Sequence, residues 1–504
     1  MKKLFALTLC LALVLGLGCA AFASGEASGG SSDPTGGITA TTTNASTISL
    51  SSGEKIIDGE TVNAVDGSAI QHSGTSVVIV KNSTVTGVTT AETAPLAGNP
   101  GNLLVAGNIR TTLALGQSQA FYINSSITSQ NWAALSTDGA VPALNEGEKE
   151  LSLYAYGSTA VTTEGGYGAY SDLFCNLLCY GSVIQSAEIG IISGTYGKVT
   201  IGTIGDGEAD PALAERLSAA DMALQPDKAL GSAVRGGRNA IMIHSVNLPP
   251  YWEYEGYSQE ELPLYATPIT VNHSVLETDL SIDMGVSYDA QKQAYIDHTA
   301  GSVILVKSTN TLIDLVASEL IPGAGGTGAI IHSVYNNDTM FMNAVPDGEQ
   351  YPGIVVNMTD MQVAGDVIHE DYQRDLYLTL TGSTLTGAVN NYDCSHWNAV
   401  AAAEVFTDYA LDASYDTAHG AYLILTGGSV WNVTAESTLR GLEVDASSSV
   451  NGVVTENADG SITVSPAAAS GEAAPAAADG FIPPDPPADL APGEEPPGGF
   501  GGID

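Results

Sequence analysis

Basic residues are scarce in this chain: 15 Lys+Arg stand against 56 Asp+Glu, a formal net charge of −41. Nucleic acid and anionic membrane need a basic footprint, so neither is an expected partner. The same field repels polygalacturonate and other acidic polysaccharides at low salt, leaving neutral glycans, cations and basic proteins. Cysteine is nearly absent too. Beyond residue 23 only Cys175, Cys179 and Cys394 occur, an odd and sparse set that makes no disulfide framework. Cys175 and Cys179 lie four apart, so a strand would place both on one face. They are expected as buried inward thiols, with a local disulfide as the alternative. No Cys/His pair of zinc spacing accompanies them. Apart from the first residues, no stretch reaches about 18 unbroken apolar positions, the length of a membrane-spanning helix.

That first stretch has the form of a secretory signal over 1–23. Lys2 and Lys3 open it, Leu4 to Leu17 are apolar, and Ala21-Phe22-Ala23 is a small-x-small cleavage site. Lipid attachment at Cys19 is the alternative, though Gly16 stands where a larger aliphatic residue is usual. Removing 1–23 leaves 13 Lys+Arg against 56 Asp+Glu, a net charge of −43. The chain is therefore expected to be secreted or held at the cell surface. Residues 24–39 are Gly/Ser-rich and read as a flexible leader. From 467 to 504 the composition turns to Ala, Pro, Gly and acid, with too little apolar surface to order the chain.

Between these ends a phrase keeps returning. It reads MQVAGDV from Met361, TLTGAVN from Thr384, SVWNVTA from Ser429 and SVNGVVT from Ser449. An earlier copy, NSTVTGV from Asn82, nearly repeats GSTLTGA from Gly382. β-branched runs with alternating side chains, separated by Gly, Asn, Asp and Ser, predict short strands. A spacing of roughly twenty residues leaves no room for βαβ crossovers, so successive turns must stack as a solenoid. Three segments break the rhythm. Asp210 and Pro211 start an amphipathic helix over 209–224; 247–268 is aromatic and acidic; 391–419 is a third insertion. Long loops in a tight repeat are where function concentrates.

The STVTG and STLTG phrases, the SVWNVTAESTLRGLEV stretch and the SSVNGVV after it carry a resemblance. The chain resembles right-handed parallel β-helix proteins of the pectate-lyase-like fold, and among them adhesin-like secreted bacterial proteins. The resemblance covers 40–466 and implies an all-β parallel β-helix domain with loop insertions between disordered termini. It also implies a cell-surface or glycan-directed role. The autotransporter members continue into a C-terminal β-barrel, whereas this sequence turns to the acidic tail.

Catalytic signatures of that group are missing. There is no N-T-D phrase, no Asp-Asp pair, no G-H-G and no R-I-K, so the acid, base and sugar-acid clamp of a polygalacturonase are not there. A pectate lyase needs a calcium-binding acid cluster beside an Arg or Lys base, and only Arg374, near Glu370, Asp371 and Asp375, offers one; a solvated edge strand with alternating charges is the expected reading of this run. Asp393-Cys394-Ser395-His396-Trp397 gathers thiol, imidazole and carboxylate, but catalytic dyads are normally assembled from distant segments. Ala-Ile followed by His-Ser recurs at Ala69–Ser73, Ala240–Ser245 and Ala329–Ser333, and His-Ser-Val recurs at His244, His273 and His332. Strand-end caps are the expected role, a stacked-histidine metal site the alternative.

The binding candidate is Tyr251, Trp252, Glu253, Tyr254, Glu255 and Tyr257. Aromatic faces stack on sugar C–H groups while carboxylates accept from hydroxyls. Tyr167, Tyr170 and Tyr180 could extend that surface. Asp206, Glu208 and Asp210, at alternate positions, offer oxygen ligands that would suit Ca2+. The expected function is a non-catalytic exported scaffold for adhesion or neutral-glycan binding. The alternatives are a polysaccharide hydrolase or lyase on the same fold, and a purely structural surface-layer component.

Overall fold

The computed structural model describes residues 48–90, 109–138, 149–171, 174–194, 196–244, 267–282, 298–307, 309–334, 353–371, 374–391 and 419–467. The signal-like segment, the leader and the tail from 468 onward lie outside the described residues. Each turn of the chain supplies one strand to each of three parallel sheets. Sheet I runs from Glu54–Asp58 to Gly441–Val444 and holds twelve strands. Sheet II begins at Thr61–Val65 and, after a break past Glu319–Ile321, resumes from Gln362–Ala364 to Ser449–Glu456. Sheet III runs from Ile48–Leu50 to Ser437–Leu439. The fold is an all-β, parallel β-helix-like stack. Among the described residues, no helix is long and apolar enough to cross a membrane.

Alternation within each strand sends one set of side chains into the stack. On sheet I the inward column passes through Ile57, Val80, Tyr122, Ala155, Cys179, Ile201, Val271, Leu315, Met358, Leu380 and Leu425. All are buried. Large Tyr122 sits beside small Ala155, so volume is balanced between neighbouring rungs rather than within one. Cys175 and Cys179 are both buried, as the four-residue spacing implied. Burial pushes the Cys179 thiol up to about 12, so it is an inert packing group.

The returning phrase turns out to be the strand of sheet II with the corners on either side of it, the first of them the corner from sheet I. Asn82, Asn124, Gly157, Gly181, His273, Ala317 and Gly382 take positive φ, and each is followed by a serine. Those serines stack into a ladder of hydrogen bonds. The Ser83 amide donates to Ser125 Oγ (3.2 Å), Ser125 to Ser158 (3.0 Å), and Ser158 to Ser182 (3.1 Å). The series continues through Ser232, Ser274 and Ser318, at 3.1 Å each time. A turn leaves backbone N–H groups that no strand partner reaches, and the hydroxyl of the next rung satisfies them. Replacing Ser158 with Ala should therefore strand the buried Ser125 amide and lower stability by about 1–3 kcal/mol, measured by urea unfolding. The corner between sheets II and III makes a different demand. A Cβ on Gly387 would lie 2.0 Å from the Gly365 carbonyl oxygen, so the 22-residue glycine repeat marks a close backbone approach.

Departures from the coil are unevenly placed. One leaves sheet I after Lys198–Gly202 and forms helices Ile204–Ala209, Pro211–Ala214 and Ala219–Ala223 before returning at Ala233–Gly236. The predicted single helix over 209–224 is broken, because Ser218 and Asp221 form a fresh capping box between its halves. Asp210 and Pro211 start the second helix as expected. This insertion covers the outer face of sheet I at Phe121, Tyr154, Tyr156 and Tyr180. Of six other long connections, 139–150, 245–268, 335–353 and 392–420 leave sheet III and re-enter sheet I, while 89–111 and 279–303 join sheet II to sheet III. The last described strand, Ile462–Pro466, reverses direction and pairs antiparallel with both Ser437–Leu439 and Ser449–Glu456.

Candidate functional site: a buried histidine–glutamate centre

Sheet III has a second apolar layer on its outer side. Its outward column passes through Tyr170, Ile192, Met242, Leu305, His332 and Ile368. Trp132, Tyr167 and Tyr170 pack together there, with the Arg110 guanidinium 3.8 Å above the Trp132 ring. His332 is thus a polar residue set in an apolar column. The adjoining outward column ends at Glu370, the last residue of Asp366–Glu370. A third group arrives from the connection that precedes Ile304–Lys307. There the Asn239 side-chain amide donates to the carbonyls of Thr299 (3.0 Å) and Ser302 (2.8 Å), and Arg238 donates to the Thr299 hydroxyl (3.2 Å). These bonds fix the position of His298.

The three side chains converge. His298 Nε2 lies 2.7 Å from Glu370 Oε2, and His332 Nε2 lies 3.1 Å from the same oxygen. The imidazole rings are 5.5 Å apart and inclined at 66°, so they meet edge to face over the carboxylate. Exposure is 0% for His332, 1% for His298 and 2% for Glu370. Behind His332, Nδ1 lies 3.1 Å from Ser302 Oγ, which lies 2.8 Å from Thr327 Oγ1. Burial raises the Glu370 carboxyl, but the charge and hydrogen bonds of His332 and His298 outweigh it and hold the group well below the carboxylate range. Burial lowers His332, against the opposing pull of Glu370. The centre is an ionised carboxylate accepting from imidazole N–H groups.

No family model, curated protein or solved structure matches this chain.

Beside the centre, His369 points into the stack. Its Nδ1 accepts from Ser333 (2.6 Å) and its Nε2 donates to the Arg374 carbonyl (2.9 Å). Burial lowers this imidazole as well. A serine–histidine pair of this geometry can move a proton, but both residues are sealed in the core, so it acts as a cross-rung tie. The run around Arg374 is not the solvated edge strand that its alternating charges predicted. Asp371 and Arg374 are buried and paired at 3.0 Å, at the corner where sheet III passes to sheet I. Charges at alternate positions reach solvent only where the outer face is uncovered, and here it is not.

The other predicted positions separate. Asp206 accepts from the Thr203 amide and hydroxyl (2.8 and 2.9 Å) and from Asn272 (2.9 Å). Glu208 accepts from the Tyr156 hydroxyl (2.9 Å) and pairs with Lys228, while Asp210 caps a helix and accepts from Tyr180 (3.2 Å). Among the described residues these three carboxylates are not gathered into one ligand set; His298, His332 and Glu370 are. Tyr167 and Tyr170 are buried on sheet III and Tyr180 on sheet I, so they form no common surface. Of the His-Ser pairs, only His273-Ser274 is a sheet I–II corner; His72 and His332 lie within strands. Tyr251, Trp252, Glu253, Tyr254, Glu255 and Tyr257 lie outside the described residues, as does Asp393 to Trp397. Sequence reading missed His298 altogether. The available signal was the pair of strands AIIHSV and DVIHE, whose alignment puts His332 diagonal to Glu370.

Proposed function

We propose that this chain is an exported, adhesin-like member of the right-handed, pectate-lyase-like β-helix proteins. In this reading it presents a surface for adhesion or neutral-glycan binding and carries out no catalysis. The observation that supports the reading best is the common edge shared by four of the six long connections, those from sheet III to sheet I. Each is anchored between a strand of sheet III and a strand of sheet I, so a rigid coil sets their attachment points in a row. Such spacing suits an extended partner, whose successive units would each meet one connection. The strongly acidic composition favours neutral glycans or basic protein surfaces over polyanions. The secretory form of residues 1–23 supports a location outside the cell in this reading.

The second of these connections carries Tyr251, Trp252 and Tyr254. Binding of the full chain to a panel of neutral glycans and matrix proteins should give at least one saturable ligand. Changing all three aromatics to Ala should weaken that binding on the order of 10-fold or more, as expected when stacking anchors are removed. Equal binding by wild type and variant would take this loop out of the reading. Release of reducing or unsaturated ends from any glycan in the panel would replace it with the hydrolase or lyase alternative.

A further inference from the structure

We propose that His298, His332 and Glu370 bind one divalent transition-metal ion of the zinc class, and that the ion clamps the connection before Ile304–Lys307 onto sheet III. The donor set argues for such an ion. Two imidazoles and one carboxylate match borderline metals, whereas Ca2+ and Mg2+ select all-oxygen shells. Their spacing argues likewise. One atom from each residue lies within 4.8 Å of the others, and the two nitrogens stand 2.7 and 3.1 Å from the carboxylate oxygen. Zinc bonds of about 2.0–2.2 Å hold neighbouring ligand atoms roughly 3–3.5 Å apart. The two carboxylate–imidazole spacings already lie close to that, and entry of the ion sets the spacing of the two nitrogens, which lie within 4.8 Å of each other.

Support around the ligands fits the same role. With a metal on Nε2, His332 carries its proton on Nδ1 and donates to Ser302 Oγ, which passes its own hydrogen bond to Thr327. An orienting partner on the far ring nitrogen is the usual companion of a metal-bound histidine. The three ligands come from three separate elements, with His298 and Glu370 72 positions apart in sequence. An ion held by all of them closes a long loop, so binding free energy becomes folding free energy. Because all three ligands are buried, the ion's task is structural. This clamp is independent of the proposed surface function, and either could fail without the other.

The full chain, stripped with EDTA and dialysed against Zn2+, should retain one ion per chain by elemental analysis. Co2+ in its place should give visible d–d absorption of a nitrogen–oxygen site. Zinc should raise the thermal midpoint by roughly 5 °C. His298→Gln and Glu370→Gln should weaken zinc on the order of 100-fold or more, and Ser302→Ala about 10-fold or more. Circular dichroism would show whether each variant keeps its strands; if a ligand variant does not fold, Ser302→Ala decides. Failure of the wild-type chain to retain Zn2+ or Co2+ would overturn the proposal. So would retention of the ion with unchanged affinity in folded His298→Gln or Ser302→Ala.

Discussion

Replacing Arg238 with Met is expected to destabilise the protein by about 3–5 kcal/mol at pH 8.5, and by distinctly less at pH 5.5. Arg238 Nη1 lies 3.5 Å from Glu188 Oε1, and both side chains are buried. Glu188 also accepts the Gly166 amide at 2.6 Å. Burial pushes the Glu188 carboxyl up to about 7, against the lowering effects of Arg238 and the Gly166 amide. Without Arg238 that carboxyl must rise further. An acid whose folded value lies above its unfolded value of about 4.3 loses stability as pH climbs between the two, and the loss saturates above the folded value. At pH 5.5 Glu188 therefore takes a proton in wild type and variant alike, and the variant loses only packing and hydrogen bonds. At pH 8.5 it is left with an uncompensated buried charge. Urea unfolding at the two pH values measures the difference. Adding Glu188→Gln to the variant should flatten the pH dependence, and an equal penalty at both pH values would refute the account.

Trp431→Ala should cost about 3–5 kcal/mol, and the loss should be confined to the C-terminal turns. Trp431 is fully buried in the sheet II column between Leu385 and Val450, and its indole donates to the Gly387 carbonyl at 2.9 Å. Truncation leaves a cavity and an unsatisfied carbonyl in turns that have few neighbours beyond them. In a stacked repeat each turn contacts only the next, so the defect does not spread uniformly. Hydrogen exchange should show protection lost in Ser437–Leu439, Gly441–Val444 and Ser449–Glu456 while Glu54–Asp58 through Lys198–Gly202 keep theirs. Uniform loss along the whole chain would contradict that picture.

The coil was legible in the sequence because its corners are chemically strict. A residue that tolerates positive φ, then a serine, then alternating β-branched residues can be read from NST and GST alone. Glycines 22 apart announced the other corner. The buried centre was not legible, for a physical reason. Which residues share a rung depends on the lengths of the intervening connections, and His298 sits at the end of one of them. Nor does alternation reveal whether a sheet's outer face is covered. HEDYQRD therefore looked solvated although Glu370, Asp371 and Arg374 are buried. The same uncertainty made Tyr167, Tyr170 and Tyr180 look like one surface when they lie under two different coverings.

The reversal of Ile462–Pro466 bears on how these molecules behave when crowded. A parallel stack is an open template: each exposed rung invites another strand of the same direction, and a second molecule could prolong the coil into a fibre. Here sheet III ends in a reversed strand bonded on one side to Ser437–Leu439 and on the other to the second half of Ser449–Glu456, so both of its own edges are already paired. An incoming copy would meet only the return arm Gly452–Glu456 in place of a full rung. The hairpin thus blunts the template at this end of sheet III, trading a long inviting edge for a short one.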